Sequence, residues 1–410
     1  MNLMVVGAQA GDEGKGAVTD YLSKEAEVIA RFQGGPNAGH TIVNGSQILK
    51  FHQIPSGINR RKTCILGPGM VIDLETLVEE LAQVAKAKLP LDCIYISNQA
   101  HLILPNDVAE TKKNNASSGT CKGVAPAYSH MALRTGIRMI DFKRAVNGDP
   151  IDSNDPRADR LKSLIPYFLS HKALAHYVGN TGEILRDAIE RGANVLFEGA
   201  QGISLGPAGE YPFTTSSSPG IGGVGDGAEI DPRKIDRVIG VAKAYLTRVD
   251  KDDKGPLVTA MSESDQERLR ILGNEWGATT GRPRRIGYLD LVQLRNSIRT
   301  GIDELALTKI DLLDGEKDIY LCNAYELNGE TTFDYPRDAY QLRQARPVNI
   351  RLPGWRQSTK GIREYDKLPE ETKQFISEIE KLAARPVTII KTGADTKEII
   401  IRKSPWRKAA

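Results

Sequence analysis

Two glycine-rich turns in the first forty residues carry side chains that could do chemistry. In GAQAGDEGKG, Gly7 to Gly16, the residues Asp12, Glu13 and Lys15 stand among four glycines. In QGGPNAGHT, Gln33 to Thr41, an amide (Asn37) and a titratable imidazole (His40) stand beside further glycines. Backbone N–H groups in such a turn, opening onto a helix N-terminus, can surround a phosphate while the lysine adds a point charge. The first turn departs from the common phosphate loop G-x-x-x-x-G-K-[ST]. Gln9 stands where its first glycine belongs and Gly16 where its metal-binding hydroxyl belongs. With no hydroxyl after the lysine, Asp12 becomes the candidate for Mg²⁺ contact or for proton abstraction. Either turn alone could be a solvated surface turn. Their recurrence, each after an apolar run, points to a site.

Those apolar runs are Leu3 to Val6 and Val28 to Ala30, read as parallel strands whose carboxyl ends present the turns. Similar runs recur at Cys64 to Leu66, Cys93 to Ile96, Leu102 to Leu104, Val195 to Phe197, Val238 to Val241 and Leu305 to Leu307. They alternate with amphipathic stretches at Asp73 to Lys88, Asn180 to Arg191 and Leu289 to Ile302, which predicts helices around a mostly parallel sheet. Asn106 to Lys122 is polar and poorly periodic and reads as a long mobile loop. Pro207 to Asp226 and Gly273 to Arg285 are two further loop-like segments. With no internal repeat and no evident linker, residues 1–410 read as a single α/β domain.

At 410 residues and 40% apolar content the chain can bury a large core, and 39 glycines suit an enzyme with many tight turns. A net charge of +3, from 55 basic and 52 acidic side chains, calls for neither nucleic acid nor membrane. The four cysteines, Cys64, Cys93, Cys121 and Cys322, are widely spaced and suggest neither a zinc site nor a disulfide framework. No leader and no run of membrane-spanning length is evident, so the expected compartment is the reducing cytoplasm.

Three further segments could carry chemistry. Gly277 to Arg285, GATTGRPRR, sets three arginines and two threonines behind glycines, a composition suited to an anionic substrate. Thr308-Lys309-Ile310-Asp311 follows an apolar strand, where the aspartate could accept the N1–H and 2-amino hydrogens of guanine while the lysine stem packs on the base. Phe197 to Gly202 is a strand end carrying the amide of Gln201.

Taken in order from Val5 to about Asp395, these motifs resemble the adenylosuccinate synthetase family. The resemblance runs through GDEGKG and NAGHT, Lys50-Phe51-His52 with Pro55-Ser56-Gly57, Pro126-Ala127-Tyr128, and the EGAQG strand end. It continues through Tyr211-Pro212-Phe213 with Thr215-Ser216-Ser217, Thr247-Arg248-Val249, GATTGRPRR, LALTKID and Leu352-Pro353-Gly354-Trp355. It implies a P-loop-like GTP-binding ligase fold and a two-step reaction. The γ-phosphoryl of GTP passes to O6 of IMP, and the amino group of L-aspartate then displaces phosphate at C6.

By the same resemblance Asp12 is the base that takes the N1 proton and, with Gly39, contacts Mg²⁺, while His40 stabilises charge on the transferring phosphoryl. Lys15 and Gln201 complete the catalytic set. Glu13, Gly14, Lys15, Gly16, Gly39 and Thr41 would hold GTP phosphates, and Lys309, Asp311, Thr392 and Gly393 would read guanine. Asn37, Thr120, Gln201, Thr215, Val249 and Arg282 match contacts to the acceptor nucleotide, and Thr279, Thr280, Arg282 and Arg284 match the loop that closes on aspartate. Arg134 corresponds to an arginine delivered across a homodimer interface to the acceptor phosphate.

Several positions depart from the family pattern. Ala10 replaces a tryptophan, Pro36 an asparagine or histidine, Pro68 an asparagine, and Lys391 a small serine-like residue. Gly119-Thr120-Cys121-Lys122-Gly123 stands for Thr-Thr-Gly-Arg-Gly. They fit drift within an ordinary purine enzyme. They also fit a paralogue that aminates a modified purine or dGMP, although the phage branch commonly carries serine in place of Asp12. A catalytically silent nucleotide-binding relative is the third reading, and the retained Asp12, His40 and Lys15 speak against it.

Overall fold

The computed structural model describes residues 1–113, 120–249, 254–277, 281–336 and 338–407. Ten strands form the central sheet, in the spatial order Ile399–Ile401, Val387–Lys391, Glu304–Thr308, Arg237–Lys243, Asn2–Gly7, Val195–Gly202, Val28–Arg31, Thr63–Leu66, Ile94–Ser97 and Val178–Gly179. All neighbours run parallel except the terminal Ile399–Ile401 strand. Asn2–Gly7 lies near the middle with every residue buried. Its unbroken apolar run is what a parallel strand covered on both faces requires. Helices such as Leu74–Lys86 and Thr181–Glu190 flank the sheet, each opened by a side-chain cap, Asp73 to Thr76 N–H and Asn180 to Glu183 N–H.

A second sheet combines Tyr245–Arg248, Arg285–Asp290, Asp318–Leu327, Glu330–Thr332 and Arg346–Pro353, mostly antiparallel. No sequence signal anticipates it. One continuous apolar cluster joins Met4, Phe197 and Leu305 of the central sheet to Leu321, Leu352 and Trp355 beside the second. The two sheets therefore share a core.

Three elements differ from expectation. Asn106 to Lys122 is largely helical at its start: Pro105–Lys113 is a helix, with Asp107 accepting from Leu104 N–H at 2.8 Å and Thr111 bonding back to the Asp107 carbonyl. Proline in the first turn and this carboxylate initiate a helix that apolar periodicity cannot reveal. His101–Ile103 is a strand, but it pairs with Val71–Asp73 outside the central sheet. The helix expected at Leu289 to Ile302 spans only Leu291–Ile298, because Asp290 ends a strand and caps the helix through Val292 and Gln293 N–H.

Candidate functional site

The loops that follow Asn2–Gly7, Val28–Arg31, Val195–Gly202, Glu304–Thr308 and Val387–Lys391 all leave the same edge of the parallel sheet. This carboxyl edge is where open α/β sheets bind ligands. Between these loops lies a cavity of about 920 Å³. Asp12, Lys15, Asn37, Gly39, His40, Thr41, Thr120, Gln201, Thr215, Val249, Arg282, Arg284, Lys309, Asp311 and Gly393 all line it, as do Gly14 and Gly16. Asp12, Gln201, Lys309 and Cys121 adopt positive φ although none is glycine. Such backbone strain persists only where the surrounding structure over-determines it.

The first turn is braced from inside. Gly14, at φ 88°, caps the helix Lys15–Leu22 in a left-handed conformation. The buried Glu13 carboxylate accepts from Gln9 N–H at 3.1 Å and Gly11 N–H at 2.8 Å, and pairs with Lys15 Nζ at 2.7 Å. Glu13 was expected among the phosphate-binding residues. Its side chain instead folds the loop, and it does not line the cavity. The absent phosphate-loop hydroxyl also has a steric reason. A Cβ on Gly16 would lie 3.1 Å from His40 Cβ and 3.3 Å from Ser56 Oγ.

His40 opens a hairpin of His40–Asn44 and Gln47–Phe51 and is 5% exposed. Its Nδ1 lies 2.7 Å from Oε1 of the buried Glu198, off the ideal N–H direction, and Nε2 is the ring nitrogen not engaged with that carboxylate. Ser56 donates to the same carboxylate through Oγ at 2.5 Å and N–H at 2.8 Å. Burial lowers the His40 pKa against the pull of Glu198. Burial also opposes charge on Glu198, but His40 and Arg31 outweigh it and hold its pKa below the ordinary carboxylate value. The pair is therefore an ionised carboxylate beside an imidazole that resists protonation.

On the opposite wall, Asp12 Oδ2 accepts from Arg284 Nε at 2.8 Å. Lys309 caps a short 3-10 helix that carries Asp311, whose pKa burial raises. Lys391, which also lines the cavity, hydrogen-bonds the Asp395 carbonyl, and burial pulls its pKa down to about 8. Gln201 lines the cavity and keeps Nε2 buried with no hydrogen-bond partner among the described residues.

Two further expected residues lie off the cavity. Thr392 is fully buried, bonding the Ile362 carbonyl through Oγ1 at 2.7 Å, so it shapes the Gly393 turn from behind. Arg134 was expected on a helix. It falls just beyond Val124–Ala132, at φ 62°, because the helix ends at Ala132 with Leu133 as its cap, and it is exposed and does not line its own chain's cavity. Thr279 and Thr280 lie outside the described residues, as does Gly119. Of the departures, Ala10, Cys121, Lys122 and Lys391 line the cavity, whereas Pro36 and Pro68 are buried and do not.

Sequence reasoning missed Arg31, Glu198, Lys243, Glu275 and Glu80. The first three had a signal: each is a lone charge at the end of an apolar strand, which burial forces to find a partner. Glu80 sits on the buried face of Leu74–Lys86 and accepts from the N–H groups of His52, Gln53 and Ile54. Glu275 had no signal.

A parallel sheet whose carboxyl edge carries a lysine-bearing glycine loop at a helix N-terminus, faced by an arginine segment, defines an α/β enzyme that handles phosphorylated nucleotides. The family model described as adenylosuccinate synthetase matches residues 4–400. An adenylosuccinate synthetase of Geobacillus kaustophilus is 40% identical over 99% of each chain. The fully ligated adenylosuccinate synthetase of Plasmodium falciparum superposes with a TM-score of 0.90 at 33% identity, over 98% of this chain and 99% of that one. The chain belongs to the adenylosuccinate synthetase family. A cyanophage S-2L succinoaminodeoxyadenylate synthetase, solved with dGMP and dATP, shares the fold at a TM-score of 0.61 and 20% identity, over 98% of this chain and 95% of that one.

Proposed function

We propose that this enzyme ligates L-aspartate to C6 of IMP at the expense of GTP, giving adenylosuccinate, GDP and phosphate in purine nucleotide biosynthesis. The observation that carries this reading is the convergence of Asp12, Lys15, His40 and Arg284 with Lys309 and Asp311 around one cavity. In this reading Lys15 and the amides of Gly14 and Gly16 hold the GTP phosphates, and Lys309 and Asp311 take the guanine base. Asp12 removes the N1 proton of IMP, which raises the electron density on O6 as it attacks the γ-phosphorus. His40, with Nδ1 beside the Glu198 carboxylate, offers Nε2 to the transferring phosphoryl oxygens. The approaching negative charge favours the imidazolium that burial otherwise disfavours. Arg282 and Arg284 receive the carboxylates of aspartate through charge-assisted hydrogen bonds, and Asn37, Thr120, Gln201, Thr215 and Val249 hold the acceptor nucleotide.

Mg²⁺ fits these residues as a nucleotide-borne ion. Asp12 opens its carboxylate to the cavity beside Gly39, and among the described residues no group of three or more His, Cys, Asp or Glu could hold a metal alone. A cation that keeps waters and shares phosphate oxygens needs few protein ligands. Asp12 and the Gly39 carbonyl would hold it, and it would supply charge compensation for the phosphates when bound.

We read residues 1–410 as one domain, which the shared core of the two sheets supports. We also infer a homodimer in which Arg134 reaches the neighbouring acceptor phosphate. Exposed Leu133 (65%) and Met131 (38%) beside Arg134 support such an interface. A cytoplasmic location agrees with four cysteines that form no disulfide, and no helix among the described residues is long and apolar enough to cross a membrane.

The test is phosphate release by the purified protein with GTP, Mg²⁺ and L-aspartate against IMP, dGMP and XMP. IMP should support turnover and the other two should not. Release with dGMP but not IMP would overturn the assignment of the acceptor.

A further inference from the structure

Glu275 belongs to none of the motifs and does not line the cavity, yet its buried carboxylate is where charges from three segments meet. Lys243 Nζ lies 3.0 Å from each of its oxygens. Lys309 Nζ lies 2.5 Å from Oε1, Arg284 Nη1 lies 2.5 Å from Oε2, and the Tyr245 hydroxyl donates to Oε1. Arg284 then turns Nε to Asp12 at 2.8 Å. One carboxylate thus joins the base-reading loop to the arginine segment and, through Arg284, to Asp12. Burial opposes its charge, but Lys243, Lys309 and Arg284 override burial and hold its pKa far below the ordinary carboxylate value.

With the Glu275 carboxylate 0% exposed, a change in one of its three cation contacts shifts the balance among the others. A nucleotide base that draws on Lys309 changes the share of Glu275 left to Arg284. A dicarboxylate that draws on Arg284 changes the share left to Lys309. We propose that Glu275 is a positioning residue that makes guanine-nucleotide binding at Lys309 and L-aspartate binding at Arg284 interdependent. The inference rests on the roles given to those two segments under the proposed function.

The test is calorimetric titration of GDP, with IMP present throughout, in the absence and presence of saturating L-aspartate. GDP has no γ-phosphoryl to transfer, so binding is read without turnover. Parent, Glu275→Gln and the double variant Glu275→Gln/Lys243→Met are compared, each checked for folding by circular dichroism. The double variant also removes the cation that Glu275→Gln would leave buried beside a neutral partner. In the parent, aspartate should change the Kd of GDP by about fivefold or more. In either folded variant the ratio should collapse toward one while IMP affinity is kept, a selective loss that general destabilisation would not produce. A folded variant with the parental ratio, a parental ratio of one, or failure of both variants to fold would each overturn the proposal. A parent that binds no GDP would overturn the reading of Lys309 and Asp311, and the inference with it.

Discussion

Asp12 and His40 show how little of the character of a proposed catalytic residue lies in its own chemistry. Asp12 stands at φ 60°, held over the cavity by a turn whose shape depends on Glu13. Its carboxylate accepts from Arg284 Nε. Replacing Asp12 by Asn preserves volume but removes the proton acceptor. Turnover should fall roughly 10²–10⁴-fold with GTP binding retained. Single-turnover phosphate release beside a GDP titration separates the two effects, and parental turnover would remove Asp12 from the chemistry. The inward-turned Glu13 carries a related lesson, since an acidic residue in a phosphate loop can serve by accepting the loop's own amides.

At the scale of elements, the helix Lys15–Leu22 and the hairpin bearing His40 pack so closely that a side chain at Gly16 would press on His40 Cβ at 3.1 Å. Gly16→Ser would restore the hydroxyl of the common phosphate loop, yet it should push His40 from its seat on Glu198. A fall in kcat of roughly 10- to 100-fold is expected from a displacement of this kind. Steady-state kinetics would check it, and parental kcat in the Gly16→Ser enzyme would show that the hairpin gives way freely.

The helix Leu74–Lys86 steadies the segment after the hairpin through Glu80, which burial pushes up to about 7 against the opposing pull of three backbone amides and Arg31. Between about 4.5 and 7 the folded chain therefore binds a proton at Glu80 that the unfolded chain has released. Its contribution to stability grows as pH falls through that window and is lost as pH rises through the folded value. Relative to Glu80→Gln, the parent should gain about 2 kcal/mol between pH 7 and pH 5. Urea unfolding of both proteins at the two pH values measures this, and a constant difference would contradict it.

For the whole molecule, the question is whether one chain completes its own site. Arg134 is exposed just past its helix and does not line its own cavity, which suits delivery to a neighbour. An Arg134→Leu chain and an Asp12→Asn chain, each inactive alone, should recover activity when their subunits exchange, because one site of the mixed dimer holds both parent residues. Recovery is expected to approach a quarter of the parental rate per site, on the order of what random pairing of two chains allows. Exchange shown by mass spectrometry without recovered activity would confine Arg134 to its own chain or to no role in catalysis.

From its residues alone, the chain declares the parallel strands, the turns at their ends and most of the residues around the cavity. Each is a local pattern: an apolar run buried on both faces, a glycine where φ must be positive, a charged side chain just after it. It also determined the family, because ordered motifs spread over the whole chain carry that information jointly. Tertiary structure alone decided the partners. Glu198 beneath His40, Glu275 among three cations, Glu13 turned into its own loop and Arg134 turned outward all depend on contacts between segments far apart in the chain. A buried charge is stable only where folding brings its counter-charge, and no local pattern states which distant residue that will be.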